Sequence, residues 1–166
     1  TSFLSYGGTF LGLMFIPAAS LGMMAAAREA DLGRFPMPSM LIIAFKQNAH
    51  QSKTMVGMGF LYGLLFCFVL AMSTWFDNGE FARLYMAGGG MGEDNLMNEH
   101  FQTAALFTLL MYLPLSSLFW HAPALVHWHA QPLAKSIFFS LMACWANWRA
   151  FAVFALTWCG IFLSTS

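Results

Sequence analysis

Residues 121–132, "HAPALVHWHAQP", gather three of the chain's five histidines and two of its six prolines. Imidazoles at this density could ligate a metal ion or a haem iron. Helical geometry works against a shared metal. On one helix His127 and His129 point about 200° apart, and His121 and His129, near one face, stand roughly 12 Å apart along the axis. A non-helical corner around Pro123 would relax this limit, and His50 could then join from another connection. Bis-histidine haem needs two histidines at matching depth on facing spans, yet no apolar tract carries a histidine at its middle. The competing reading is an interface belt of His121, His127, Trp128 and His129, because amphipathic rings settle at the membrane–water boundary.

A second group lies in the glycine- and acid-rich segment 77–100. Met86, Met91, Met97 and His100 offer thioether and imidazole ligands of the kind that suit Cu(I). The chain has 13 methionines, so this spacing arises readily by chance, and a solvated linker is the alternative. Asp77, Glu80, Glu93, Asp94 and Glu99 face a single base there, Arg83, and would concentrate cations or a basic partner. Enzyme signatures are missing: there is no H-E-x-x-H, no G-x-S-x-G and no G-x-x-x-x-G-K-[ST]. Glu99 beside His100 has no nucleophile or orienting partner at a recognisable spacing. No catalytic residue, cofactor or nucleic-acid partner is predicted. Copper and haem are the groups these residues would admit.

What must position these side chains follows from composition. Hydrophobic residues make up 59% of the 166, charged residues 8%, and the mean hydropathy is +0.64. Those values belong to a chain solvated by lipid. Four tracts approach the roughly 20 residues that a helix needs to cross about 30 Å of hydrocarbon. They lie at about 3–27, 54–76, 101–121 and 148–164, the last beginning with Arg149 snorkelled to the boundary. A soluble bundle would show polar helix faces, whereas the first two tracts are apolar all round. The expected class is an all-α integral membrane helical bundle with four visible spans. Cys67, Cys144 and Cys159 sit in apolar sequence without a C-x-x-C pair and read as packing residues.

Charge sets the expected orientation. Arg28, Arg34, Lys46, Lys53, Lys135 and Arg149 fall in segments 28–53 and 121–149, against Arg83 alone in 77–100. The excess of bases places the first two segments in the cytoplasm and the third in the periplasm. Both termini then lie on the periplasmic side. The first tract has no basic leader and no clear cleavage site, so a further helix upstream of Thr1 is expected. The two cytoplasmic connections share a plan: a span containing proline, a proline corner, an interfacial helix (about 38–50 and 132–147), then a span outward. In the second, Leu133, Ile137, Leu141 and Trp145 recur every four residues and build one apolar face. Two copies in the same sense imply an internal two-fold repeat about an axis normal to the membrane. Gly8-x-x-x-Gly12 and Gly59-x-x-x-Gly63 would let helix backbones approach closely, chiefly within the chain.

Two phrases, "SLGMMAAAREADLGRFP…FLYGL" and "LFWHAPALVHWHAQPLAKSIFFSLMACWANWRAF", resemble a family of proteobacterial multi-pass inner-membrane proteins with no established activity. The features that carry the resemblance are a corner with Pro123, Leu125 and Val126, then Ser136 or Ser140 before a bulky run, then Asn147, Trp148 and Arg149 opening the last span. It covers roughly residues 10–65 and 115–158. It implies an inner-membrane location and architecture, and it carries no catalytic or binding residue with it. The expected role is a non-enzymatic accessory or scaffolding subunit of a larger membrane complex. The alternatives are a small-molecule or lipid transporter acting as a homo-oligomer, and a copper-handling membrane protein. The expected partners are the bilayer and other membrane subunits, or further copies of the chain.

Overall fold

In the computed structural model the apolar tracts fold as helices, and the residues described are 2–46, 48–89, 92, 95 and 97–165. The order is α1 (Ser2–Asp31), a 3-10 segment (Pro38–Phe45), α2 (Ala49–Asp77), α3 (Glu80–Ala87), α4 (Glu99–Phe119), α5 (Ala122–His129), α6 (Leu133–Ala146) and α7 (Trp148–Thr165). Three stretches are long and apolar enough to cross a membrane: Tyr6–Asp31, Ala49–Asp77, and Glu99–His129 taken across the junction of α4 and α5. A fourth crossing depends on α6 and α7, which turn by 72° from one another. The chain is thus the all-α membrane bundle that composition implied. The segment expected as an interfacial helix over 38–50 is 3-10 over Pro38–Phe45, with Ala49 and His50 already in α2.

In lipid, helix association draws on close packing more than on escape from water. Glycines supply it where α2 lies on α1. A Cβ on Gly59 would run into the Met14 carbonyl oxygen, and one on Gly63 would stand 3.0 Å from the Phe10 ring. Gly22 similarly admits the 3-10 segment, whose Leu41 Cα would be 2.8 Å from an added Cβ. Around this contact Leu13, Leu21, Met55, Met58, Tyr62 and Phe66 form the buried centre. Phe119 of α4 meets Tyr62 edge-on at 5.2 Å, and Phe81 of α3 meets Phe101 at 5.4 Å.

The turns are closed by side chains that suit them. Asp77 ends α2 and is buried, and its carboxylate accepts the Gly79 and Phe81 amides at 3.0 and 2.6 Å. One residue therefore finishes a helix and supplies the anionic cap for the next. The chain reverses between them through left-handed Asn78 and Gly79, at φ 56° and 89°. Asn98 caps α4 through its side-chain oxygen, which accepts from His100 and Phe101. Pro17 and Pro114 sit inside α1 and α4. Each is followed three residues later by a serine, Ser20 or Ser117, whose hydroxyl donates to the proline carbonyl at 2.8 Å.

The two expected repeat units share this local plan but close differently. In the first, α2 returns along α1 in close contact. In the second, α7 packs chiefly on α6. The cause is visible in the residues that α7 turns toward α4. They are Phe151, Phe154, Ala155 and Trp158, spaced as one helix face, and they are mostly too bulky for the approach that Gly59 and Gly63 allow. Nothing lies within 4 Å of a Cβ placed on Gly160.

Replacing Gly59 by alanine should lower the thermal stability of the detergent-solubilised protein by about 1–3 kcal/mol, the usual range for overpacking. Gly12→Ala, where an added Cβ meets nothing, should leave it unchanged or slightly raised. Melting curves followed by circular dichroism check both, and equal melting of the two variants would refute the α1–α2 contact described above.

Candidate functional site

The histidine corner is a helical turn tied down from several directions. His121 precedes α5, Pro123 occupies its first turn, and the helix ends at Ala130, held left-handed at φ 49°. Helix ends leave carbonyls without intrahelical partners. Here Gln51, near the start of α2, donates its side-chain amide to the carbonyls of Val126 and His127 at 3.2 and 3.3 Å. Beside it the Arg28 guanidinium lies 5.2 Å from the centre of the Trp128 ring, a cation–π contact. The His127 and Trp128 rings are edge-on at 5.6 Å. The connections 28–53 and 121–132 therefore meet at one end of the bundle. Thr9 and Met86 meet elsewhere, the Thr9 hydroxyl donating to the Met86 carbonyl at 2.8 Å.

Ser140 joins α6 to this corner. Its hydroxyl is fully buried, donates to the Ser117 carbonyl at 2.8 Å and accepts the His121 amide at 2.9 Å. The His121 amide goes to Ser140 instead of the Ser117 carbonyl four residues back, and the Ser140 hydroxyl bonds that carbonyl in its place, completing a hydrogen-bond chain through the junction of α4 and α5. Cys144, one turn on, directs its thiol to the same Ser117 carbonyl at 3.6 Å. Ser136, Ser140 and Cys144, spaced by four, form the buried face of α6. Its large residues Phe138, Phe139, Met142 and Trp145 are exposed. The four-residue ladder read from the sequence, Leu133 to Trp145, is thus the flank rather than the centre of the packed face, because small hydroxyl and thiol groups allow α6 to lie close to α4 and α5.

The corner histidines do not converge. His121 is half-buried with Phe151 at 6.4 Å, His127 lies by Trp128, and His129 is exposed. Among the described residues no three His, Cys, Asp or Glu side chains come together as metal ligands. Of the proposed copper ligands, Met86 on α3 packs partly against the core, while Met97, at 83% exposure, and His100 are open. Met91 lies outside the described residues.

Two apolar grooves flank the second half of α4. One, about 580 Å³, opens between α4, α6 and α7, with Trp120, Trp145, Trp148, Phe151, Phe154 and Trp158 on its walls. The other, about 410 Å³, opens between α1, α2 and α4, with Pro17, Met24 and Tyr62 on its walls. Tyr112, Ser116 and Trp120 border both. The larger groove was not foreseen, although the spacing of Phe151, Phe154, Ala155 and Trp158 after Trp145 and Trp148 is a signal that could have found it.

A bundle of helices long and apolar enough to cross a membrane, with apolar aromatic grooves between them, defines an integral membrane protein. The chain is 34% identical over 162 residues to a protein named "Probable inner membrane protein" from Burkholderia thailandensis. The alignment takes in 96% of this chain and 60% of that relative's length, and the resemblance to inner-membrane proteins carried by the two sequence phrases is borne out. No family model matches the chain, and no solved structure does.

Ser140→Ala should destabilise the protein by about 1–3 kcal/mol, because it leaves the partly buried His121 amide without its acceptor at a fully buried hydroxyl position. Ser116→Ala, whose hydroxyl serves only its own helix through the Leu113 carbonyl, should change little. Thermal unfolding in a single detergent distinguishes them.

Proposed function

We propose that the protein is a non-enzymatic inner-membrane subunit that packs against further membrane helices, with its basic end in the cytoplasm. The observation that carries this reading is the division of labour among the glycines. Gly59 and Gly63 are filled by α1, whereas nothing lies within 4 Å of an added Cβ on Gly8 or Gly12. Both are exposed on α1, so the same small-x-x-x-small spacing that joins α1 to α2 is repeated on a face open to another helix. The bases support the orientation: Arg28 and the Gln51 cap bring the first basic segment to the corner, and α6 continues from the same corner with Lys135. The inner-membrane location is that of the relative's name.

Solubilised in mild detergent after in-cell crosslinking, the protein should carry a partner, or further copies of itself, at fixed stoichiometry. Gly8→Leu with Gly12→Leu should reduce that adduct severalfold while the melting curve is kept. A chain that crosslinks to nothing, or an adduct indifferent to the double substitution, overturns the proposal. Orientation is checked separately in a background free of the native cysteines. Lys53→Cys and Lys135→Cys should resist an impermeant maleimide added to whole spheroplasts, and Arg83→Cys should react; labelling of Lys53→Cys or Lys135→Cys from outside contradicts it.

A further inference from the structure

The larger groove has walls and an end of different chemistry. Its walls are aliphatic and aromatic, and the hydroxyl and thiol groups of its serines and cysteine are already engaged. The Ser116 and Ser117 hydroxyls donate to Leu113 and Pro114 carbonyls, and the Cys144 thiol to Ser117. A ligand held along the walls therefore gains chiefly from apolar contact, and about 580 Å³ falls within the roughly 300–1,000 Å³ usual for such sites. At one end, where α4 finishes and α7 begins, Trp120 and Phe151 meet edge-on at 5.5 Å. Trp145 and Trp148 complete that rim. Indoles gathered there match the level at which such rings sit among lipid headgroups.

Arg149 supplies the charge at this rim. Its guanidinium lies 5.8 Å from the centre of the Trp148 ring that borders the groove, so the cation, though not part of the wall, stands beside a residue of the rim. No acidic side chain follows Glu99 in the sequence, so neither α5, α6 nor α7 carries a carboxylate that could neutralise it. Glu29, in the first connection, is paired with Arg34 at 3.7 Å. A guanidinium offers a planar fork of donors suited to phosphate.

We infer that this groove is a site for an anionic glycerophospholipid, one acyl chain lying between α4 and α7 and the phosphate held at Arg149 against Trp148. The charge complementarity selects lipid over a protein helix: a helix would fill the walls and leave the unneutralised arginine at the rim unused. The site is separate from the Gly8–Gly12 face, so it stands or falls independently of the proposed subunit role.

The four groove-lining tryptophans make the test direct, because bromine on an acyl chain quenches nearby indole fluorescence. The purified full chain is reconstituted in phosphatidylcholine vesicles containing a minor fraction of either brominated phosphatidylglycerol or brominated phosphatidylcholine. The brominated anionic lipid should occupy the site about fivefold more readily, the advantage expected of one basic residue near a membrane surface. Arg149→Gln should abolish the preference, and Arg149→Lys should keep part of it. Ala155→Phe, which fills the groove and leaves the cation, should reduce quenching by both lipids. Equal quenching of the unaltered protein by the two lipids overturns the inference, as does a preference that survives Arg149→Gln or quenching that is indifferent to Ala155→Phe.

Discussion

Hydrocarbon offers no hydrogen-bond partner, and much of this structure follows from that. Along the helices most hydroxyls turn back to carbonyls of their own helix: Ser20 to Pro17, Ser73 to Leu70, Thr108 to Ala104, Ser117 to Pro114, Thr157 to Val153. Each of these hydroxyls is satisfied locally, as a lipid solvent requires. That leaves the helices free to pack by shape. Side chains that reach to another element do so chiefly at the corner, where Gln51, Ser140 and Cys144 meet carbonyls left without an intrahelical partner; Thr9, which donates to the Met86 carbonyl, does so away from it.

The corner and the grooves are consequences of the same economy of contact. Small residues decide where helices touch: Gly59 and Gly63 between α2 and α1, Gly22 under the 3-10 segment, Ser136 and Ser140 on α6. Bulky residues decide where they stand apart, and the aromatic face of α7 keeps it from α4. A cavity in such a bundle therefore arises where large side chains face one another across a helix pair with no glycine between them.

The class of fold was legible because span length and the scarcity of charge are properties of the chain itself. Pro17, Pro114 and the corner at Pro123 were legible for the same reason, since proline acts on its own backbone. The buried face of α6 was harder to read. Hydropathy favours Leu133, Leu141 and Trp145, while the residues packed most closely are Ser136, Ser140 and Cys144. Hydrophobic periodicity finds the face that avoids water, and in lipid that criterion no longer separates inside from outside. The two glycine pairs looked alike in sequence for a related reason, because which of them is filled depends on a neighbouring helix. The histidines drew attention by number, but Gln51, a residue with no distinguishing context in the sequence, ties the corner to α2.

The 72° bend at Asn147 makes α7 a lever. Asn147 holds its own side-chain amide on the Ala143 carbonyl at 2.8 Å, so the pivot end is fastened. The arm beyond it extends about 27 Å for its 18 residues. Each degree of rotation at the pivot moves the tip by about half an ångström over that length. The aromatic cleft lies between this arm and α4, so a change in the angle at the pivot would change the width of the cleft.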